Sequence, residues 1–406
     1  MSYRDFENQS LKRKHEENVE FVDQGLKRKH IILDSNKSIK VTRTSTPNSK
    51  IVAAHYNRKL DVGIEKRNES SILFLKNFNN WIKSVIIGKH VEPKSKVLDI
   101  GCGKGGDLLK WKAAKISTLV GLDLSDVSIE DAKKRWENIK GGKHPAEFHA
   151  EFFVLDCFSN PITSIASIKN KSFDVVSMQF CLHYSFETEN KARMALINAS
   201  SNLKEGGLFI GTVTDANWIA KKLKTLDPKT LKFGNSIYSI IFEQKHEFPT
   251  FGHKYRFNLE DAINDCPEYL VHFPTFEKMA REYGLELVYK KRFHDIYNEA
   301  KEDPEYRRLL YKMSVIRLKD SGEMSDAEWE AAGFISQYIP TLFQAESNFF
   351  YAQLQRNKIL QQAKRKANKL EEDIYFNNPY NNGIIKNELL IEESTDAWKP
   401  HKWYNL

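Results

Sequence analysis

No run of apolar residues in the 406-residue chain reaches the length of about 20 needed to span a bilayer as a helix. The opening stretch Met1-Ser-Tyr-Arg-Asp-Phe6 also lacks the apolar core of a secretory leader. A soluble, intracellular protein with no membrane partner is therefore expected. Cysteine is scarce: Cys102, Cys157, Cys181 and Cys266 are the only four, and no two stand at C-x-x-C spacing. That excludes the usual zinc and redox pairs, so the four read as small buried residues and no metal site is expected. An acidic excess is missing too. The formal charge is +8 and the isoelectric point about 9.0, which favours an anionic partner, although so small a charge on so long a chain also serves plain solubility.

Residues 1–50 carry mixed charge, few aromatics and no sustained apolar period, so the segment is expected to be disordered. Within it the pentapeptide Leu-Lys-Arg-Lys-His occurs at Leu11 to His15 and again at Leu26 to His30. Such paired basic clusters resemble a bipartite nuclear import signal, and a nuclear location is expected; a solvated basic tail that touches RNA is the alternative. Residues 51–352 hold the patterned part of the chain. Residues 353–406, rich first in Lys and Gln and then in Asn, form an atypical C-terminal tail. Within that tail Asn377-Asn-Pro-Tyr380 imitates a motif of amino-group methyltransferases, but its position far from any fourth strand makes it a turn.

Between these ends the periods alternate. Ile72, Leu75, Phe78, Ile82 and Val85 or Ile86 repeat at helical spacing, which predicts a helix over residues 71–87. Short apolar runs at 96–100, 118–124, 152–158, 173–180 and 208–214 predict buried strands, and helical stretches fall at 107–115, 126–140 and 189–203. Strands separated by helices imply an α/β fold, a doubly wound, mostly parallel sheet covered on both faces. From Asp215 to about Asn258 aromatics and glycines occur without clear period, which reads as a substrate-side insertion. A helix at 276–283 and a late strand at 285–293 follow.

The chemistry concentrates in Val97-Leu-Asp-Ile-Gly-Cys-Gly-Lys-Gly-Gly-Asp107, where Gly101, Gly103 and Gly106 fit G-x-G-x-x-G directly after a strand. That pattern also serves dinucleotides. Asp99, however, stands where a carboxylate would repel a diphosphate, and it suits a cationic ligand such as S-adenosylmethionine better than NAD. Asp123 ends the second strand, where a carboxylate can accept ribose hydroxyls, and Asp156 and Gln179 end the next two. Any one of these could be a polar strand terminator; together they outline a nucleotide-like site beyond the carboxyl ends of the strands.

These features resemble those of the eukaryotic mRNA cap guanine-N7 methyltransferases, class I (Rossmann-like) enzymes that use S-adenosylmethionine. The resemblance runs from about Ala54 to Ala332 and rests on His55-Tyr-Asn57, Phe78-Asn-Asn-Trp-Ile-Lys-Ser84, the glycine turn, Asp123-Leu-Ser125, Gln179-Phe-Cys-Leu-His-Tyr184 and Pro267-Glu-Tyr-Leu-Val271. It implies that Lys83, Gly101, Asp123, Asp156, Gln179 and Tyr184 contact the cofactor. By the same resemblance Asn79, Asn80, Lys104, Lys110, Arg135, His183 and Glu268 line the cap site of a GpppRNA substrate. Capping-enzyme components or RNA polymerase are then candidate partners. The chemistry agrees: a carboxylate at Glu268 can accept from guanine N1–H and the exocyclic amine, and Lys104, Lys110 and Arg135 supply cations for a triphosphate. Without the family, each of those basic residues would read as a solvated helix face.

Guanine N7 carries a lone pair and no proton, so its attack on a sulfonium methyl needs alignment rather than a general base. No catalytic acid or base is expected, and His183 and Tyr184 read as orienting walls. The chain departs from the family at its end, where an aromatic in a terminal strand helps to enclose the guanine: in Phe334-Ile-Ser-Gln-Tyr-Ile-Pro340 the proline is expected to shorten or displace that strand, with Tyr338 the nominal closing aromatic. Two other functions share much of the pattern. A class I methyltransferase for a small molecule or protein would keep the cofactor site without a use for Glu268, and a silent RNA-binding scaffold would be expected to have lost Asp99 and the glycines.

Overall fold

Val97, Leu98 and Ile100 are buried because β1 (Lys96–Ile100) runs through the sheet with neighbours on both sides, which is why its sequence after the exposed Lys96 is apolar apart from Asp99. The computed structural model describes residues 47–58, 69–316 and 324–342. β1 pairs in parallel with β2 (Thr118–Asp123) and β4 (Phe173–Gln179); β2 carries β3 (His149–Val154) on its outer side, and β4 carries β5 (Leu203–Thr214). Beyond β5 two antiparallel strands complete the sheet, β11 (Ile335–Leu342) and β10 (Leu285–Arg292), in the order β10-β11-β5-β4-β1-β2-β3.

Alternate residues of these strands feed two cores. Val97, Leu119, Val175, Ile210 and Ile339 face one side, against α2 (Leu73–His90), α3 (Leu108–Ala113) and α4 (Asp126–Lys140). Leu98, Val120, Val176, Met178 and Phe209 face the other, against α5 (Leu182–Ser185), α6 (Glu189–Ser200) and α8 (Phe273–Glu282). The sheet is thus covered on both faces, as the alternating pattern predicts. Ahead of it lies α1 (Pro47–Arg58), and α7 (Ala216–Lys224) follows β5. Helices α9 (Phe293–Ala300), α10 (Pro304–Lys312) and α11 (Asp326–Gly333) pack near α2; α11 begins with a capping box of Ser325 and Glu328, and Glu328 also accepts from the Leu75 backbone N–H at 3.0 Å.

Several expectations need correction. The strand expected at 152–158 starts at His149 and stops at Val154, since an edge strand exposes alternate positions and need not be uniformly apolar. β5 begins at Leu203 rather than 208. The unpatterned stretch after Asp215 holds α7 and a second, antiparallel sheet of β6 (Lys232–Gly234), β7 (Tyr238–Phe242), β8 (Lys254–Leu259) and β9 (Ile263–Tyr269) in sequential order. Its strands are short and half polar, and β8 and β9 meet at a register shift, so no period stands out. Residues 47–50, grouped with the disordered segment, are the first turn of α1, while residues 1–46 and the tail after 342 lie outside the described residues, with both basic pentapeptides and Asn377 to Tyr380. Nor does Pro340 shorten the last strand. β11 runs to Leu342 between two partners, and β10 shifts register between Leu287 and Tyr289, opposite the proline, absorbing the missing N–H.

Candidate active site

At the end of β1 the chain turns sharply, and the backbone N–H groups of Gly101 and Cys102 both donate to the Leu122 carbonyl, at 2.7 and 3.0 Å. Gly101 adopts φ +75°, and a Cβ there would lie 2.8 Å from Cys181 Sγ, so glycine is required. Gly103 and Gly105 also take positive φ, whereas Gly106 does not; the third conformational glycine is Gly105, one residue earlier than the G-x-G-x-x-G spacing suggests. The next strand end stiffens the turn. Asp123 accepts from Gly103 N–H and Ser125 N–H, each at 2.9 Å, which uses one site on each carboxylate oxygen and leaves others open. Burial raises its pKa, against those backbone bonds.

The turn borders a cavity of about 240 Å³. Six sequence-predicted cofactor residues line it: Gly101, Gly103, Asp123, Asp156, Gln179 and Tyr184. Asp156 is held by Phe158 N–H and the Ser159 hydroxyl. Gln179 Oε1 is buried with no hydrogen-bond partner among the described residues, an acceptor waiting for a donor. Two predicted residues do not line the cavity. Asp99 is buried behind the turn, accepting from the Trp111 indole at 3.3 Å, and burial and the nearby Asp107 push it up to about 7. Lys83 reaches Asp107 Oδ1 at 2.7 Å and stands 5.9 Å from the centroid of Phe180, whose ring does border the cavity.

The residues assigned to a cap fall into two groups. Glu268 and His183, both nearly fully buried, face each other with Nε2 and Oε1 3.6 Å apart, and the Tyr184 ring lies 4.3 Å from the His183 ring, joining this group to the cavity. Glu268 Oε2 accepts from the Tyr255 hydroxyl at 2.7 Å; burial pushes the carboxyl up to about 7, with that hydrogen bond opposing. His183 has no hydrogen-bond partner among the described residues, and burial lowers it to about 3, so the ring is neutral. The second group is basic. Lys110 bridges Asp107 at 2.8 Å and Asn80 Oδ1 at 2.9 Å, and Lys104 pairs with Asp131 at 2.8 Å, one helical turn before Arg135 on α4. Asn79 Oδ1 is buried without a partner among the described residues. Burial would raise the Asp107 carboxyl, but the ammonium groups of Lys83 and Lys110 outweigh it and hold it below the usual carboxylate range.

The family profile of the mRNA (guanine-N(7))-methyltransferase domain matches residues 39–344. This chain belongs to that family. It is 48% identical over 290 residues to the mRNA cap guanine-N(7) methyltransferase of Cryptococcus neoformans, a match covering 70% of the chain and 46% of that protein. Against the enzyme of the same name from Schizosaccharomyces pombe it is 44% identical over 291 residues, 70% of the chain and 79% of the relative. With mRNA cap guanine-N(7) methyltransferase 1 of Arabidopsis thaliana the identity is 42% over 300 residues, covering 71% and 80%. The chain thus spans less than half the length of the Cryptococcus relative and most of the other two.

Sequence reasoning missed one wall of this site. Asn48, Ser49, Val52, Ala53 and Tyr56 line the cavity from one face of α1, whose polar sequence hides its helical period. Asn48 donates to Glu187 Oε1 at 2.8 Å and to the Tyr269 hydroxyl at 2.9 Å; at the far end Asn57 donates to Asp126 at 3.0 Å and Tyr56 meets Tyr184, hydroxyl to hydroxyl, at 3.1 Å. The motif His55-Tyr-Asn57 was the available signal. Tyr338 does not line the cavity. It is fully buried among Phe209, Phe273 and Phe276 beneath the sheet, because even-numbered positions of β11 face that core.

Proposed function

We propose that this chain transfers a methyl group from S-adenosylmethionine to N7 of the guanine that caps a GpppRNA. The observation that carries the proposal is a buried carboxylate, Glu268, opposite a neutral histidine and adjoining a glycine-turn cavity with open carboxylate and amide acceptors. Those acceptors fit the donor: Asp123 retains acceptor capacity for hydroxyls, and the orphaned Gln179 Oε1 is matched by an amine. Asp123, Asp156, Gln179 and Tyr184 would hold it, with the backbone of Gly101 and Gly103 closely applied. When bound, S-adenosylmethionine supplies an electrophilic methyl on a sulfonium.

In the transfer the N7 lone pair forms the new bond to carbon as the sulfur–carbon bond breaks, and the positive charge passes from sulfur to the purine. Glu268 is placed to accept from guanine N1–H and the exocyclic amine, so its negative charge gains as the purine becomes cationic. His183 serves by staying neutral: an imidazolium there would repel the developing charge, and burial prevents it. Neither residue is asked to move a proton, because guanine N7 carries none. Lys104, Lys110 and Arg135 are proposed for the triphosphate, with Asn79 and Asn80 beside them.

The test is transfer of labelled methyl to GpppRNA, with GTP and a protein mixture as alternative acceptors. Label confined to GpppRNA, and largely lost with His183→Ala, supports the assignment; label on the other acceptors overturns it. The paired basic pentapeptides support a nuclear location, which a fluorescent fusion with and without residues 11–30 tests. Capping-enzyme components and RNA polymerase are proposed partners on the strength of the substrate alone, and affinity capture from a nuclear extract decides between them.

A further inference from the structure

Glu268 alone does not explain how guanine is selected. A free carboxylate rotates about its last bond, and bidentate acceptance from N1–H and the exocyclic amine requires both oxygens fixed in the plane of the base. Across the β8–β9 ladder Tyr255 stands directly opposite Glu268 in the antiparallel register. Its ring is fully buried, 5.6 Å from the ring of Phe242, so the hydroxyl has little freedom. That hydroxyl donates to Glu268 Oε2 at 2.7 Å, and its oxygen lies 3.1 Å from Thr214 Oγ1 at the end of β5. Since the tyrosine proton is committed to the carboxylate, the Thr214 hydroxyl is the donor to tyrosine. A directional chain therefore runs from Thr214 through Tyr255 to Glu268 and ties the main sheet to the smaller one.

We propose that Tyr255 is the positioning residue that makes Glu268 selective for guanine, with Thr214 orienting the tyrosine. The inference rests on the guanine-reading role given to Glu268 above. Oε2 has two lone pairs, so it can take the Tyr255 proton and a base donor at once, while Oε1, with His183 Nε2 at 3.6 Å, remains for the second. The hydrogen bond also favours the charged form of the acid, which burial opposes. The other titratable groups facing Glu268 are His183 and Tyr184 of α5, Tyr56 of α1 and Cys266 of its own strand. Burial lowers the histidine and raises the rest, so these groups add no positive charge. Tyr255 is what aims the carboxylate and offsets part of the burial that disfavours its charged form.

Methyl transfer to GpppRNA and to IpppRNA, whose hypoxanthine lacks the exocyclic amine, separates this role from simple support of the fold. Tyr255→Phe should lower kcat/KM on GpppRNA about tenfold, the usual scale for a hydrogen bond to a charged group. It should also compress the preference for the guanine cap and move the pH midpoint of kcat/KM upward, while calorimetric affinity for S-adenosylhomocysteine is unchanged. Thr214→Val, which keeps the shape, should move the same readouts less, and it decides the matter if the phenylalanine variant does not fold. Wild-type preference and midpoint in Tyr255→Phe, with Glu268→Gln impaired, overturn the proposal; so does an equal loss on both caps at an unmoved midpoint. If Glu268→Gln itself keeps the wild-type preference, the guanine-reading role fails instead.

Discussion

Two buried acids set the pH behaviour of this protein at the level of single residues. Burial pushes Asp99 and Glu268 up to about 7 each, so the folded protein holds protons there that the unfolded chain releases near pH 4. Their contribution to stability is complete below the unfolded values and is lost as pH rises through about 7. The stability difference between Asp99→Asn and wild type, from unfolding curves at pH 5 and pH 8, should therefore shift in favour of the variant as pH rises, on the order of a few kcal/mol; a constant difference would contradict the burial of a titrating Asp99. Function runs the other way. In the role proposed for it Glu268 accepts from guanine as a carboxylate, so KM for GpppRNA should fall from pH 6 to pH 8, and the dependence should vanish in Glu268→Gln. At this scale placement was legible: Asp123 and Gln179, singled out at strand ends, line the cavity, and Glu268 meets His183 beside it. Asp99 was misjudged in part: a carboxylate before a glycine turn reads as a ligand, and only the fold shows it turned toward Trp111.

Among the elements, α1 and the paired strands β5 and β11 are the sensitive ones. α1 is held over the cavity by polar contacts at its two ends, each worth about 1 kcal/mol, so Asn48→Ala should weaken S-adenosylhomocysteine binding several-fold in calorimetry with little change in melting temperature. Gly211 on β5 is a different case: a Cβ there would run into the Tyr338 hydroxyl and come within 2.8 Å of the Met178 carbonyl. Gly211→Ala should therefore lower stability by roughly 1–3 kcal/mol, seen as a depressed melting midpoint. The legibility of the elements followed their burial. β1, β2 and β4, covered on both faces, are mostly apolar runs that the sequence displays, whereas β3 at the edge and the four short strands of the second sheet mix polar and apolar residues more evenly. Pro340 misled for a related reason. The rule against proline inside a sheet holds for regular ladders, and here the neighbouring strand breaks its own register opposite the ring.

For the whole molecule, the parallel α/β plan could be read from alternation alone, but its extent could not. The segment regarded as disordered up to residue 50 conceals the start of a cavity wall, since the polar sequence Pro47-Asn-Ser-Lys50 owes its helical state to the residues it touches rather than to its own period. Truncation separates the two parts. A protein lacking residues 1–46 should bind S-adenosylhomocysteine far more tightly than one lacking 1–58, and equal affinities would show that α1 does not belong to the site.

The strand order has a further consequence for how the protein is made. β11 lies between β5 and β10, yet it is the last described strand to be synthesised, following the end of β5 by more than a hundred residues. On the ribosome the sheet stays unzipped along that seam, with β5 and β10 each offering a bare edge, until residue 342 has emerged. A premature stop codon just upstream would thus release a polypeptide prone to aggregate instead of a shortened enzyme.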